Sequence, residues 1–198
     1  MTERGSRRLR QAISEGDGIS VLVEVDDPSA AQAAEEQGAD GVVVRTSAAG
    51  VRGATDLPLL WCTGDPEAAA AAGADAFLVE TARFDDDWDR LAAVHERVVD
   101  LGLDCVFEAR DEEELRDVLE HVDPEILLLG GSSPDPDVDA LDHVLELLPD
   151  VPAGKLAIAE LRAASRDDVV ALERAGVDAV VVDARDVRAL VGAEPPEV

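Results

Sequence analysis

The stretch from Lys155 to Val187, KLAIAELRAASRDDVVALERAGVDAVVVDARDV, contains one complete strand, turn, helix and strand, and it decides how the rest of the chain is read. The apolar run Leu156 to Ile158 ends on the charged Glu160. Ser165 with Asp167 and Asp168 supplies a helix start, and Val169, Val170 and Leu172 supply a helical apolar face. Gly176 stops that helix, and the β-branched run Ala179 to Val182 ends at Asp183. Two near-continuous apolar strands joined by a helix imply parallel pairing with both faces of the sheet covered.

Working outward, the helix end followed at once by a strand recurs along the chain. It is found at Gly38-Ala39-Asp40, at Gly73-Ala74-Asp75, at Gly176-Val177-Asp178 and, more weakly, at Gly102-Leu103-Asp104. Glycine fits the left-handed position that closes a helix. The pattern predicts strands near 19–25, 40–45, 57–62, 75–80, 104–109, 125–130, 155–160 and 178–183. Helices are predicted at 28–37, 66–72, 85–101, 111–121, 137–148 and 166–175, with a short one at 186–191. The link from Ser47 to Asp56 is too small and glycine-rich for a full helix. Eight strands alternating with helices read as an α/β fold, a compact (β/α)8 TIM barrel with short loops, below the usual length of about 250 residues. The other architecture considered, an open doubly wound sheet, usually carries a GxGxxG turn after its first strand. This chain has Glu24-Val25-Asp26-Asp27-Pro28 there. The expected organisation is an N-terminal leader at 1–18, helical or partly loose, a single barrel at 19–193 and a C-terminal tail at 194–198.

With 198 residues, 46% of them hydrophobic, the chain is long enough for one substantial core. No apolar run is long enough to cross a bilayer, and the polar, basic start does not resemble a secretory signal, so the expectation is a cytoplasmic protein. Cys62 and Cys105 lie in apolar strands without CxxC or Cys/His spacing, which reads as reduced core cysteine and neither disulfide nor zinc. There are 45 acidic and 17 basic residues, for a formal net charge of −28, and Lys155 is the single lysine. Such a surface repels phosphate backbones and anionic membranes, so neither is an expected partner. Self-repulsion of this size is best tolerated where salt screens it. A salt-rich cytoplasm is one explanation, and a generally acid-rich proteome is the other.

In a barrel of this kind, functional groups gather at the C-terminal ends of the strands, and alternate strands fill one layer. On the odd strands, the last polar positions are Glu24, Cys62, Glu108 and Glu160, with Leu22, Val106 and Ile158 beneath them and Asp26, Arg110 and Arg162 above. Even strands add Arg45, Glu80 and Asp183 at the rim. Three converging glutamates need a proton, an arginine or a metal ion to answer their charge, with Arg110 and Arg162 the nearest cations in this reading. No spacing demands a metal, and no cofactor is called for. Carboxyl groups with raised pKa are the usual equipment of general acids and bases. Gly130-Gly131-Ser132-Ser133 reads as an ordinary loop or a small anion-binding turn. His95, His121 and His143 fall on helices away from the mouth, and Trp88 and Phe84 read as outer packing.

The run Val106-Phe107-Glu108-Ala109-Arg110-Asp111-Glu112-Glu113-Glu114-Leu115 and the span Leu156 to Val187 resemble the fifth strand and the last two units of indole-3-glycerol-phosphate synthase, within a weaker likeness from Ile19 to Leu190. That family closes an indole ring on a phosphorylated anilino sugar with loss of carbon dioxide and water, using a lysine acid and strand-end glutamates. The resemblance implies that Glu24, Glu108 and Glu160 are catalytic. Arg45, Cys62, Arg110, Arg162 and Asp183 are the candidates for substrate binding. The departures are chemical. Cys62 falls where the family has its general-acid lysine, and Asp26 where it has a first-strand lysine. Leu161-Arg162 and Asp183 replace phosphate-binding positions, and Gly130-Gly131 replaces paired asparagines. Two readings follow: a divergent carbon-carbon lyase on a small anionic metabolite, phosphorylated or carboxylated, or a non-catalytic barrel that binds a ligand or a protein partner. Oligomeric state is not legible.

Overall fold

The computed structural model describes residues 8–16, 18–46, 49–85, 87–130, 139–161, 163–183 and 187–190. Its strands are β1 (Ser20–Glu24), β2 (Gly41–Val44), β3 (Leu59–Trp61), β4 (Ala76–Glu80), β5 (Asp104–Ala109), β6 (Ile126–Gly130), β7 (Leu156–Glu160) and β8 (Ala179–Asp183). All neighbours pair in parallel, and β8 returns to β1, so the sheet closes in sequence order into the (β/α)8 barrel that the periodicity implies. The helices are α1 (Arg8–Glu15), α2 (Pro28–Glu36), α3 (Val51–Ala54), α4 (Pro66–Ala71), α5 (Trp88–Asp100), α6 (Glu112–His121), α7 (Ala140–Leu147), α8 (Arg166–Ala175) and α9 (Val187–Leu190). The small, glycine-rich link after β2 forms only the single turn α3. The predicted helix over 85–101 starts three residues late, because Thr81–Phe84 coils as a 3-10 turn and Asp85 takes a left-handed φ of 46°.

The acid-rich composition has a local structural use. Asp27, Asp65, Asp87, Asp111 and Asp139 each turn a carboxylate onto an amide in the first turn of the helix that follows. Ser165 and Asp168 do the same for α8 through a reciprocal capping box. Carboxylates there satisfy orphan amides and favour the helix dipole.

The aspartates of the repeated helix end do something that the spacing did not disclose. Asp40 donates its amide to Val21 O at 2.9 Å and accepts the Val21 amide on its carboxylate at 2.8 Å. Asp75 makes the same two-way clip on Leu59 at 3.0 Å in both directions, and Asp178 makes it on Ala157 at 2.9 and 2.7 Å. Each clip locks the start of an even strand to the start of the odd strand before it, so the repeat fixes register at the barrel floor as well as stopping helices. Asp104 gives its carboxylate to the Arg10 amide of α1 instead, at 3.0 Å.

Two apolar layers follow from the alternation. Leu22, Val43, Leu60, Leu78, Val106, Ile126, Leu128, Ile158 and Val181 pack inside the ring, and Leu9 and Ile13 of α1 close its floor. Val21, Val23, Phe77, Phe107, Leu127 and Leu129 face the surrounding helices. The floor is tight at Gly41: a Cβ there would meet Leu22 Cδ2 at 2.7 Å and Pro58 O at 3.2 Å. The wall is uneven. β3 and β4 are held in register by Leu60 with Ala76 and Trp61 with Phe77, whereas β4 and β5 pair from Ala76–Asp104 to Glu80–Glu108. No helix among the described residues is long and apolar enough to cross a membrane.

The clip at Asp75 is the most deeply buried of the three, 4% exposed, and its carboxylate also takes Arg52 Nη1 at 3.0 Å. Asp75→Ala leaves the Leu59 amide and Arg52 without their carboxylate, and the expected loss is about 3 kcal/mol of unfolding free energy in urea titration. A change below about 1 kcal/mol would mean that the clip follows the register and does not set it.

Candidate active site

The C-terminal ends of the strands bring Glu24, Arg45, Cys62, Glu108 and Glu160 into one another's electrostatic reach. The inward alternation puts Leu22, Leu60, Val106 and Ile158 one step below the odd-strand residues, all buried, so these polar groups rest on a dry apolar floor.

Arg45 is the counter-charge. It follows β2, two residues past the inward-facing Val43, and its side chain is long enough to reach both flanks. Arg45 Nε lies 3.1 Å from Glu24 Oε2, and Arg45 Nη2 lies 2.8 Å from Glu160 Oε2. The Glu160 side chain is 4% exposed, against 22% for Arg45 and 26% for Glu24, so the bridge runs from the buried depth of the mouth to its open edge. Burial is the largest single effect on the Arg45 pKa and lowers it, but the surrounding negative groups, Glu160 foremost, together raise it and hold the guanidinium charged.

Among the described residues, Glu108 has no such partner. Burial, then the negative charges of Glu160 and Glu80, push its carboxyl up to about 7, and Arg45 and Arg110 only partly oppose them. Its backbone is fixed. Thr81 Oγ1 donates to Glu108 O at 2.7 Å, and His143 Nε2 lies 2.6 Å from Arg110 O two residues on. A carboxyl that titrates near neutrality on a clamped strand end can both give and take a proton.

The remaining candidates divide. The Arg110 guanidinium pairs with Glu114 of α6, with Nε at 3.1 Å from Glu114 Oε1, and the Arg110 amide donates to the same carboxylate at 2.9 Å. Arg110, expected as a nearest cation to the three glutamates, still eases the charge on Glu108, but its ion pair is with Glu114, and Arg45 is the cation that joins Glu24 and Glu160. Cys62 is buried beside the glutamates, and its thiol is pushed up to about 12, chiefly by burial, so it stands there as a neutral group. Asp183 ends β8 in register with Glu24. Glu80 is bound by both Nε and Nη2 of Arg83, at 2.6 and 2.5 Å. Arg162 and Gly131-Ser132-Ser133 lie outside the described residues. Gly130 ends β6 with φ +103°, and a Cβ there would press on Val144 at 3.2 Å and Glu160 O at 3.3 Å. Among the described residues, no cluster of His, Cys, Asp and Glu has metal-holding geometry.

Sequence reasoning placed Arg45 only at the rim and missed that it joins two glutamates. The signal was present: β2 supplies the one arginine directly at a strand end next to β1. What hid it was the assumption that each layer is served only by its own alternate strands.

No protein-family model matches the chain. It is 28% identical over 186 residues to the indole-3-glycerol phosphate synthase of Lachnospira eligens, covering 89% of this chain and 63% of that protein. To the indole-3-glycerol phosphate synthase of Salinibacter ruber it is 33% identical over 125 residues, covering 61% of this chain and 44% of the other. The chain thus spans less than two thirds of the length of these relatives. Among solved structures, thiamine phosphate pyrophosphorylase from Pyrococcus furiosus superposes with a TM-score of 0.66 at 17% identity, covering 92% of this chain and 95% of that one, a likeness of fold. The chain is a divergent TIM barrel similar to the indole-3-glycerol phosphate synthases and shorter than those it matches.

Proposed function

We propose that this barrel is a lyase acting on a small carboxylated or phosphorylated metabolite, with Glu108 as its proton-transfer group. The observation that supports this reading is the pairing of unlike carboxyls in one mouth: Glu108 titrating near 7 beside Glu24 and Glu160 tied to Arg45. Environments that separate neighbouring carboxyls assign acid and base roles. As the neutral acid, Glu108 protonates an oxygen that would otherwise build up or leave as an anion. As the carboxylate, it takes back the proton released from the substrate when water departs. The burial of Glu160 suits a positioning role through Arg45, and the more open Glu24 reaches the substrate side of the same bridge.

The mouth also narrows the substrate. Arg45 is matched by two glutamates and Arg83 by one, and Asp183 adds a further carboxylate. A singly charged substrate enters such a mouth more easily than a doubly charged one. Cys62 supplies no cationic acid, so the reaction that the related synthases perform is not carried over whole. A second reading is a barrel that holds a ligand without chemistry. It draws on that same loss of the lysine.

Three outcomes are expected. First, Glu108→Gln lowers turnover by about 10²- to 10⁴-fold in an assay of carbon dioxide and water release over a panel of small carboxylated and phosphorylated metabolites, with the circular dichroism spectrum unchanged. If no panel member is turned over and none shifts the melting temperature, the lyase reading fails. If ligands shift it without turnover, the binding barrel stands. Second, the raised pKa of Glu108 favours the neutral acid in the folded state. The stability it gives is fully present below about 4.5 and is lost as pH climbs through about 7. Glu108→Gln should remove that slope and raise stability at pH 8 by on the order of 2 kcal/mol, after allowance for solvent screening, in urea titrations across pH. Third, Arg45→Met strips the counter-charge from Glu24 and Glu160. It should move the Glu108 carboxyl resonance in carbon-13 pH titration to a higher midpoint and cost about 3 kcal/mol. An unmoved midpoint would detach Arg45 from Glu108.

A further inference from the structure

A second cavity lies on the outer side of the barrel wall. Where β3 ends, the chain turns through Thr63 and Gly64 into α4, and between that turn and α5 a crevice of about 280 Å³ opens. Phe77 and Val79 of β4 form its back, with Phe84 and Val94 across from them. Cys62 touches it from the seam where pairing between β3 and β4 has stopped. The volume is just below the range of drug-sized sites, which suits a small metabolite.

The charges at its rim are not equivalent. Asp65 caps α4 through the Ala68 amide at 2.7 Å, and Glu80 is neutralised by Arg83. Arg90, on α5, has no carboxylate partner among the described residues, although the chain carries 45 acids to 17 bases. Its guanidinium stands over the Phe84 ring, 5.3 Å from the centroid, which holds it beside an apolar surface. An available cation at the lip of an apolar crevice is complementary to a molecule with one negative end and a short apolar body.

We propose that the crevice between the β3–α4 turn and α5 is a binding site for a small monocarboxylate with an apolar tail, its carboxylate on Arg90 and its tail against Phe77, Val79 and Val94. The site faces the helices and needs no proton transfer, and it shares only Cys62 and Glu80 with the mouth.

The test is a titration of the full chain with hexanoate, followed in proton–nitrogen NMR spectra, with hexylammonium as the charge-reversed probe. Saturable shifts at the amides of Gly64, Val79, Arg90 and Val94 are expected with hexanoate and not with hexylammonium. Arg90→Gln, an exposed substitution that removes the charge together with its contact on the Phe84 ring, should weaken hexanoate binding about tenfold. Val94→Trp should fill the crevice and abolish binding, while Glu108→Gln should leave binding unchanged. Failure of hexanoate to saturate below about 10 mM, where even a millimolar site would be filled, would overturn the proposal. So would equal binding of hexylammonium, binding unaffected by Arg90→Gln, or shifts confined to the mouth.

Discussion

Arg45 between Glu24 and Glu160 is the interaction on which the mouth of this barrel depends. Closing eight parallel strands forces their odd members to aim side chains at one axis, and here three of those side chains are glutamates. Without a cation among them, the ring would close on uncompensated charge over an apolar floor. One guanidinium from the neighbouring even strand serves two of the three and leaves the third, Glu108, in a medium that resists ionisation. The compensation and the perturbed carboxyl are therefore two sides of one arrangement.

The same economy runs through the rest of the molecule. The aspartates do local work at both ends of the barrel. They cap helices at the top of the barrel and clip strand starts at the bottom. Part of the acidic content is thus structural. Lys155, the single lysine, reaches Asp123 at 2.6 Å and Pro124 O at 2.7 Å, tying the starts of β6 and β7 together.

The fold was legible because its signals are local and repeated. Apolar runs bounded by Gly-Ala-Asp and by capping residues fix element order, and a parallel sheet of eight such units has few ways to close. The convergence of Glu24, Cys62, Glu108 and Glu160 was legible for the same reason, since period-2 alternation assigns a face to every strand residue. The fate of the arginines was not. Arg45 and Arg110 both sit at strand ends, and only the positions of Glu160 and Glu114 decide which of them joins the glutamates of the mouth. That competition is between side chains far apart in sequence in one case and four residues apart in the other. Alternation carries no information about it. Nor does a helix stop reveal that the aspartate after it grips the strand before it.

The short contact between β3 and β4 carries a consequence for how the molecule fails. A closed ring has no free edges, and that is its protection against joining other chains. Every other seam has at least three register pairs, whereas this one has two, Leu60 with Ala76 and Trp61 with Phe77, and relies for the rest on the Asp75 clip to Leu59. A wall parted at that seam would be an eight-stranded open sheet ending in two bare, apolar margins. Leu59-Leu60-Trp61 on one side and Ala76-Phe77-Leu78-Val79 on the other would then be the adhesive surfaces through which unfolding turns into self-association.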